Sequence, residues 1–315
     1  MNEREGRTAR CPVCGEVGTP WAVVHDVEYR TSDESFDYFR CQACRVVFID
    51  PAPIARLAEI YPSNYYAYAG DDGSLVQRVK SALDRRHFKR LLSSVPGEKL
   101  AALDVGGGDG WLLSMLRDVD ARVAVTQVVD LDPGAEALAR ERGHEYFCGP
   151  IEEYAGDQRF DVVLLLNLIE HVADPRLVLQ RLRARLNPGG VILVKTPNVD
   201  SLDARLFRNR DWGGYHCPRH WVLFDRDNLV AVARDAGLTT RQINYTQGAP
   251  FWTVSVLAAL ARRRLVRISP ERPMVDHPLF GPLNAVFAVF DLVRARLGGH
   301  PSQLFAELVP TSSAD

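Results

Sequence analysis

The stretch that decides the fold runs Leu100-Ala101-Ala102-Leu103-Asp104-Val105-Gly106-Gly107-Gly108-Asp109-Gly110-Trp111. A short apolar run enters a cluster of glycines, and Trp111-Leu112-Leu113-Ser114-Met115-Leu116 then begins a helical pattern. Strand, glycine turn and helix in that order are the context a nucleotide-binding fingerprint requires. A dinucleotide site asks for G-x-G-x-x-G, but counted from Gly106 its last position falls on Trp111, and the pattern present is D-x-G-x-G-x-G. An acid at the end of the strand opposes a pyrophosphate and suits a cationic ligand, such as an α-ammonium beside a sulfonium. Glycine at Gly106, Gly108 and Gly110 lets the backbone approach that ligand with no Cβ in the way.

Further along, the strand Val125-Thr126-Gln127-Val128-Val129 ends in Asp130, spaced for a carboxylate that accepts both ribose hydroxyls. A third apolar run, Phe160-Asp161-Val162-Val163-Leu164-Leu165-Leu166-Asn167, leads into Leu168-Ile169-Glu170-His171-Val172-Ala173-Asp174-Pro175. An amphipathic helix with Leu177, Val178, Leu182 and Leu186 on one face comes next, then Asn187-Pro188-Gly189-Gly190 and the strand Val191-Ile192-Leu193-Val194.

These motifs, in this order from about Lys99 to Gln247, resemble the class I S-adenosylmethionine-dependent methyltransferases. The E-H-x-x-D-P run resembles that of the small-molecule members. The resemblance implies an α/β fold: a Rossmann-like seven-stranded sheet with helices on both faces. It also implies S-adenosylmethionine as cofactor, held by Asp104, Gly106, Gly108, Gly110, Asp130, Leu131, Ile151 and Asn167. The chain departs from the family after the third strand. There Phe147-Cys148-Gly149-Pro150-Ile151-Glu152 has Gly-Pro where an acid often contacts the adenine amino group. Adenine recognition then falls to backbone groups near Gly149 and Ile151, or to Glu152.

Upstream, Cys11-Pro12-Val13-Cys14-Gly15 and Cys41-Gln42-Ala43-Cys44 form two C-x2-C pairs. Two redox dithiols or a rubredoxin-type iron would use the same spacing. Four soft ligands in a closed tetrahedron suit structural zinc, with Cys11, Cys14, Cys41 and Cys44 as its ligands. Gly15 suits the positive-φ position of such a turn. The intervening Trp21-Ala22-Val23-Val24 and Tyr38-Phe39-Arg40 read as strands, and so small a module needs a metal to fold.

After the fifth core strand the chain reads Thr196-Pro197-Asn198, then Asp211-Trp212-Gly213-Gly214-Tyr215-His216-Cys217-Pro218-Arg219-His220-Trp221. A loop there stands outside the carboxyl ends of the strands, where α/β sheets bind ligands. His216 or His220 is the candidate general base for a hydroxyl or carbon nucleophile, with Tyr215 and His171 as further candidates. The competing reading makes Trp212, Tyr215 and His220 braces for the strand, since methyl transfer also proceeds by alignment alone.

Tyr61-Pro62-Ser63-Asn64-Tyr65-Tyr66-Ala67-Tyr68 is an aromatic connector, followed by a helix with Leu75, Val79, Leu83 and Leu91 in near i+4 spacing. A sixth strand over 238–245 and a seventh over 303–309 pair antiparallel. Between them residues 249–301 are too long for a hairpin and hold two apolar helices flanking Arg262-Arg263-Arg264. That insert reads as a helical hairpin on the core or on a second subunit, or as a lid. Its basic, apolar character also allows a membrane surface or a lipid acceptor. The expected division is 1–60 zinc ribbon, 61–97 helical connector or cap, 98–248 methyltransferase core, 249–301 helical insert, and 302–315 last strand and tail.

The chain has 315 residues, 46% apolar and 25% charged, with a formal charge of −2. No secretory signal opens the chain, so a cytoplasmic location is expected. Residues 11–60 are net acidic, with Asp26, Glu28, Asp33, Glu34, Asp37 and Asp50 against Arg30, Arg40, Arg45 and Arg56. That balance disfavours nucleic acid as the partner and a ribbon-docked RNA methyltransferase as the function. A small-molecule or glycan acceptor is expected, methylated at oxygen ahead of carbon, with an oligomer allowed. The intact Asp104, glycines and Asp130 argue against a non-enzymatic scaffold.

Overall fold

The protein, described here from a computed structural model, is described over residues 6–62 and 75–311, and the side chains of 75–80 fall outside that description. Ser63–Tyr68 of the aromatic connector therefore lies outside the described residues.

The first strands are β1 (Ala9–Arg10), β2 (Val17–His25), β3 (Ser35–Cys41) and β4 (Val47–Ile49), an antiparallel meander. Trp21–Val24 and Tyr38–Arg40 lie within β2 and β3, as their β-forming composition predicts. A one-turn helix, α1 (Leu57–Ile60), follows, and α2 (Leu75–Ser93) leads into the core. The spacing predicted Leu83 and Leu91 on one face of α2. In the structure Phe88, Leu91 and Leu92 are buried while Leu83 is 62% exposed. Positions spaced by four drift about 40° per step around a helix of 3.6 residues per turn, so Leu83 and Leu91 diverge by about 80°.

The core alternates β5 (Leu100–Val105), α3 (Trp111–Val119), β6 (Val123–Asp130), α4 (Pro133–Glu141), β7 (Glu145–Cys148), β8 (Phe160–Leu166), α5 (Pro175–Ala184) and β9 (Leu186–Pro197). All six residues of β5 and the first six of β8 are buried, as parallel strands between two helical layers must be. Asp132 and Asp174 cap α4 and α5 by accepting from Gly134 N and Leu177 N, each with proline at the start of the helix. The D-P of the E-H-x-x-D-P motif is thus a helix-start device. Asn187–Gly190, read as a turn before the strand, lies inside β9. There the pairing jumps from Phe160↔Leu186 to Val162↔Val191, and Gly189 has φ +80.

After β9 come α6 (Leu202–Phe207), a single turn at Gly213–Tyr215, β10 (Val222–Leu223), α7 (Arg226–Asp235) and β11 (Leu238–Thr246). Next are α8 (Ala249–Arg262), α9 (Phe280–Arg296) and β12 (Gln303–Pro310). The seven-stranded sheet has the order β11-β12-β9-β8-β5-β6-β7, parallel except for β12, which runs antiparallel to both neighbours. The α/β methyltransferase architecture and its antiparallel last pair are as the sequence predicts. β10 joins the other sheet, pairing antiparallel with β4 to give the order β1-β2-β3-β4-β10. Helices α8 and α9 pack as a hairpin: Trp252 stacks on Phe287, and buried Asp291 accepts from Gly248 N, Trp252 Nε1 and Ser302 Oγ. Among the described residues, no helix is long and apolar enough to cross a membrane.

Candidate functional site

Strand order reverses between β5 and β8, since the chain adds β6 and β7 on one side before returning to the other. A crevice opens at the carboxyl ends of strands at such a switch point. Asp104 stands near the end of β5, Asp130 ends β6, and Asn167 follows β8. The sheet therefore brings the predicted cofactor residues to one edge.

Asp104 is 2% exposed and its Oδ2 has no hydrogen-bond partner among the described residues. Burial first, then the neighbouring Asp130 and Asp109, pushes its carboxyl well above the ordinary range. Gly106, Gly108 and Gly110 all have positive φ, and a Cβ on Gly107 would stand 2.7 Å from Asp104 Cγ. Gly110 packs so tightly on His144 that a Cβ would meet its ring at 2.3 Å. His144 itself is pinned between Ser114 Oγ (2.9 Å) and Thr126 Oγ1 (2.8 Å), and burial pushes it down to about 4. This brace beneath the glycine loop was missed in the sequence, where His144 belongs to no motif.

Asp130 accepts from Gly108 N (2.8 Å) and Asp132 N (2.9 Å) through different oxygens, which aims the carboxylate across the loop. Leu131 beside it is 55% exposed, an apolar surface at the crevice edge. Gly149 N bonds to Asp130 O, and Ile151 is buried. Asn167 has φ 55, and its Oδ1 accepts from Gln303 Nε2. A buried unpaired carboxylate beside a cradle that any Cβ would fill fits the cationic amino-acid end of S-adenosylmethionine.

The turn after β8 reaches the cofactor loop directly, for a Cβ on Gly106 would meet the Leu168 side chain at 2.8 Å. Two residues on, Glu170 is fully buried. Burial lifts its carboxyl to about 8 despite Thr196 and Lys195, and neither oxygen has a partner of hydrogen-bonding geometry among the described residues. The Thr196 hydroxyl, close enough to moderate that rise, is itself unpaired by the same geometry. His171 Nδ1 lies 2.8 Å from Tyr61 Oη.

Segment 211–221 folds over these groups. His171 and His220 rings stand 4.6 Å apart edge to face, and His216 and His220 5.0 Å apart. His216, at φ 37, places Nδ1 2.5 Å from Glu28 Oε2, while His220 Nδ1 donates to Gly214 O at 2.8 Å. Burial first, then the neighbouring histidine rings, pushes His171 down to about 3 and His220 well below its ordinary value. Tyr215 is buried against Tyr38 and Trp212. Its hydroxyl accepts from Trp21 Nε1 and donates to Arg208 O. Cys217 is buried and stays a thiol.

The N-terminal sheet grips this segment along its length. Asp26 pairs with Arg219 at 3.1 Å, both side chains fully buried, and Arg219 Nε donates to Ile60 O. Tyr38 donates to His220 O, and Trp221 N donates to Glu170 O. Sequence reasoning missed Glu28, Asp26 and Arg219. No local motif marks them, since their partners lie 188 and 193 residues away.

At the other end of the N-terminal sheet, Cys11, Cys14, Cys41 and Cys44 offer sulfurs within 4.8 Å of one another, and three sulfur pairs are 3.4–3.6 Å apart. Four sulfurs about 2.3 Å from a zinc ion stand about 3.8 Å from each other, so the donor set fits. Gly15 has φ +77, as the turn requires.

The fold and this edge define a class I methyltransferase. A model of the methyltransferase domain family matches residues 75–243, more than half of the chain, and the chain belongs to that family. It is an S-adenosylmethionine-dependent methyltransferase. The ubiquinone biosynthesis O-methyltransferase of Bradyrhizobium sp. (strain ORS 278) is 29% identical over 235 residues, covering 66% of this chain and 88% of that protein. The enzyme of that name from Azorhizobium caulinodans is 39% identical over 122 residues, 36% of this chain and 47% of that one. The chain thus spans most of one relative and about half of the other. Among solved structures, a putative sarcosine dimethylglycine methyltransferase from Galdieria sulphuraria aligns with TM-score 0.51 and 16% identity, over 75% of this chain and 88% of that one. Coclaurine N-methyltransferase bound to N-methylheliamine and SAH aligns with TM-score 0.51 and 14% identity, over 82% and 81%. These two likenesses concern the fold alone.

Proposed function

We propose that this enzyme methylates an oxygen of a small-molecule or glycan acceptor, with His216 as general base. The observation that carries the reading is the His216–Glu28 contact: a buried imidazole whose Nδ1 is held by a carboxylate, on the segment that packs against Glu170 and His171 after β8. A carboxylate at Nδ1 fixes the tautomer with its lone pair on Nε2, the arrangement that orients a catalytic base. The O-methyltransferase names of the relatives support oxygen as the acceptor atom.

Bound S-adenosylmethionine supplies an electrophilic methyl on a sulfonium. Asp104 would hold its ammonium, with Gly106, Gly108 and Gly110 shaping the cradle. Asp130 would take the ribose, and Leu131, Ile151 and Asn167 would frame the rest. His216 Nε2 would take the proton of the acceptor hydroxyl, leaving that oxygen free to be methylated. Tyr215 serves as a brace beneath His216 in this reading, and His171 and His220 serve the acceptor side. Cys11, Cys14, Cys41 and Cys44 would hold structural zinc, and the 249–301 hairpin would wall the acceptor side through the contact of α8 with Gly213–Tyr215.

The test is methyl transfer from labelled cofactor to separated small-molecule, glycan, lipid and RNA fractions, comparing wild type with His216→Gln. Label in small-molecule or glycan material that falls about 100-fold or more in the variant, at unchanged cofactor affinity, supports the reading. Full activity in His216→Gln removes the base, and label in RNA alone removes the acceptor class.

A further inference from the structure

We propose that the hairpin of α8 and α9 docks this protein flat on an anionic lipid bilayer, with one face of α9 seated among the headgroups. The observation is a helix that buries its polar side and exposes its apolar one. Asp291 is fully buried and Phe287 stacks on Trp252, so one face of α9 is committed to the fold. Val286, Val289, Phe290 and Val293 point the other way. At about 100° per residue they fall within an arc of about 100°, centred roughly opposite Asp291. Leu279 and Leu297 extend that strip at its two ends, and all six residues are 40–81% exposed. Between Asp276 and Arg294 the only Asp, Glu, Lys or Arg is the buried Asp291.

A contiguous apolar strip of this kind on a protein surface marks a partner, and the charge around it says which. Residues 262–296 carry seven arginines against three acids, one of them Asp291, although the whole chain stands at −2. Arg262 pairs with Asp211 and Arg294 with Asp291. Arg263, Arg264 and Arg267 are exposed around exposed Leu265 at the turn before α9, and Arg296 is exposed at the far end of the helix. The exposed acids of this stretch are Glu271 and Asp276. A second copy seated on the strip would set arginines against arginines in either helix direction, whereas lipid phosphates neutralise both ends at once. An apolar strip on a helix of 17 residues, about 25 Å long with basic flanks, is the pattern of a helix lying in the membrane interface. The arginine stems reach the headgroups while the strip sinks about 5–10 Å.

The docked face is tied to the segment after β9 through α8. On that helix Trp252 Nε1 donates to Asp291 Oδ1 at 3.3 Å, and Ser255 Oγ accepts from Gly213 N at 2.8 Å. Docking therefore holds the segment that carries His216 one helix from the lipid. The docking itself does not depend on the methyl-transfer reading.

The experiment is flotation of the zinc-loaded protein with vesicles of phosphatidylcholine alone, or of phosphatidylcholine mixed with phosphatidylglycerol. Binding to the anionic vesicles is expected to be at least about tenfold tighter and to weaken as salt rises. The double variant Val286→Ser, Val289→Ser should weaken it by more than about tenfold. The double variant Arg263→Gln, Arg264→Gln should cost about tenfold and reduce the preference for phosphatidylglycerol. S-adenosylmethionine binding by the same samples verifies their fold. No vesicle binding, equal binding to both compositions, or undiminished binding in the folded serine variant overturns the proposal. A dimer in sedimentation velocity that the serine variant abolishes, with no vesicle bound, assigns the strip to a second copy and overturns it as well.

Discussion

Replacing Asp26 with alanine strips the counter-charge from an arginine that water cannot reach. Arg219 is 0% exposed and lies over the Tyr29 ring, and Asp26 also accepts from Tyr29 N, Thr31 N and Thr31 Oγ1. Stranding one partner of a buried pair costs about 3–5 kcal/mol. Asp26→Asn keeps the shape and half the bonds, so about 2 kcal/mol is expected. The assay is urea unfolding at 25 °C, read on tryptophan fluorescence and repeated across pH. Burial by itself raises the Asp26 pKa, but the charge and hydrogen bonds of Arg219, with Thr31, outweigh it and hold the pKa below its ordinary value of 3.8. A depressed carboxylate stabilises the fold above the unfolded-state pKa and loses that contribution as pH falls through the folded value. Wild type should therefore lose, below about pH 4, an increment of stability that Asp26→Ala lacks at every pH. An alanine variant within about 1 kcal/mol of wild type at neutral pH would refute the reasoning, because the arginine would then have found water.

Three further outcomes are expected. Asp104→Asn should abolish tight S-adenosylmethionine binding. In wild type, affinity should rise as pH climbs through the elevated Asp104 pKa, with proton release on binding in that range, because burial disfavours the charged carboxylate and the ligand ammonium favours it; calorimetry in buffers of different ionisation enthalpy reads this. Gly110→Ala should weaken cofactor binding more than tenfold, since the residue has φ +75 and its Cβ would meet the His144 ring at 2.3 Å; equilibrium dialysis measures it. Purified protein should carry zinc that leaves with a strong chelator or in Cys14→Ser. Its loss should unfold the five-stranded sheet, seen as hydrogen exchange in β2 and β3 with the seven-stranded sheet still protected.

The legible parts of this chain are those whose meaning is local. Asp104 to Gly110 announces a strand, a turn and a helix because each glycine answers a backbone need within a few residues. The cysteine pairs announce a tetrahedral donor set by spacing, and Asp174-Pro175 announces a helix start. The α2 stripe misled because four-residue spacing only approximates the helical turn, so Leu83 rotated out to solvent. Glu28 and Asp26 stayed hidden because an ordinary surface-looking acid acquires meaning only when a residue 188 or 193 positions later folds against it. Glu170 and His171 were visible as a motif. Their shared geometry with His220 was not, since it depends on how the segment after β9 returns across the sheet.

The pairing of β10 with β4 has a consequence for how the protein is made. Phe48 and Val222 are partners although about 170 residues separate them, so closing that sheet carries a large loop-closure cost and a high contact order. On the ribosome the N-terminal strands emerge early, yet their last neighbour appears only after most of the Rossmann-like strands have been synthesised. The cysteine cluster would have to hold an incomplete sheet with an open edge at β4 through that interval. A lack of zinc would then be felt first as aggregation of the nascent chain, before any finished enzyme could lose activity.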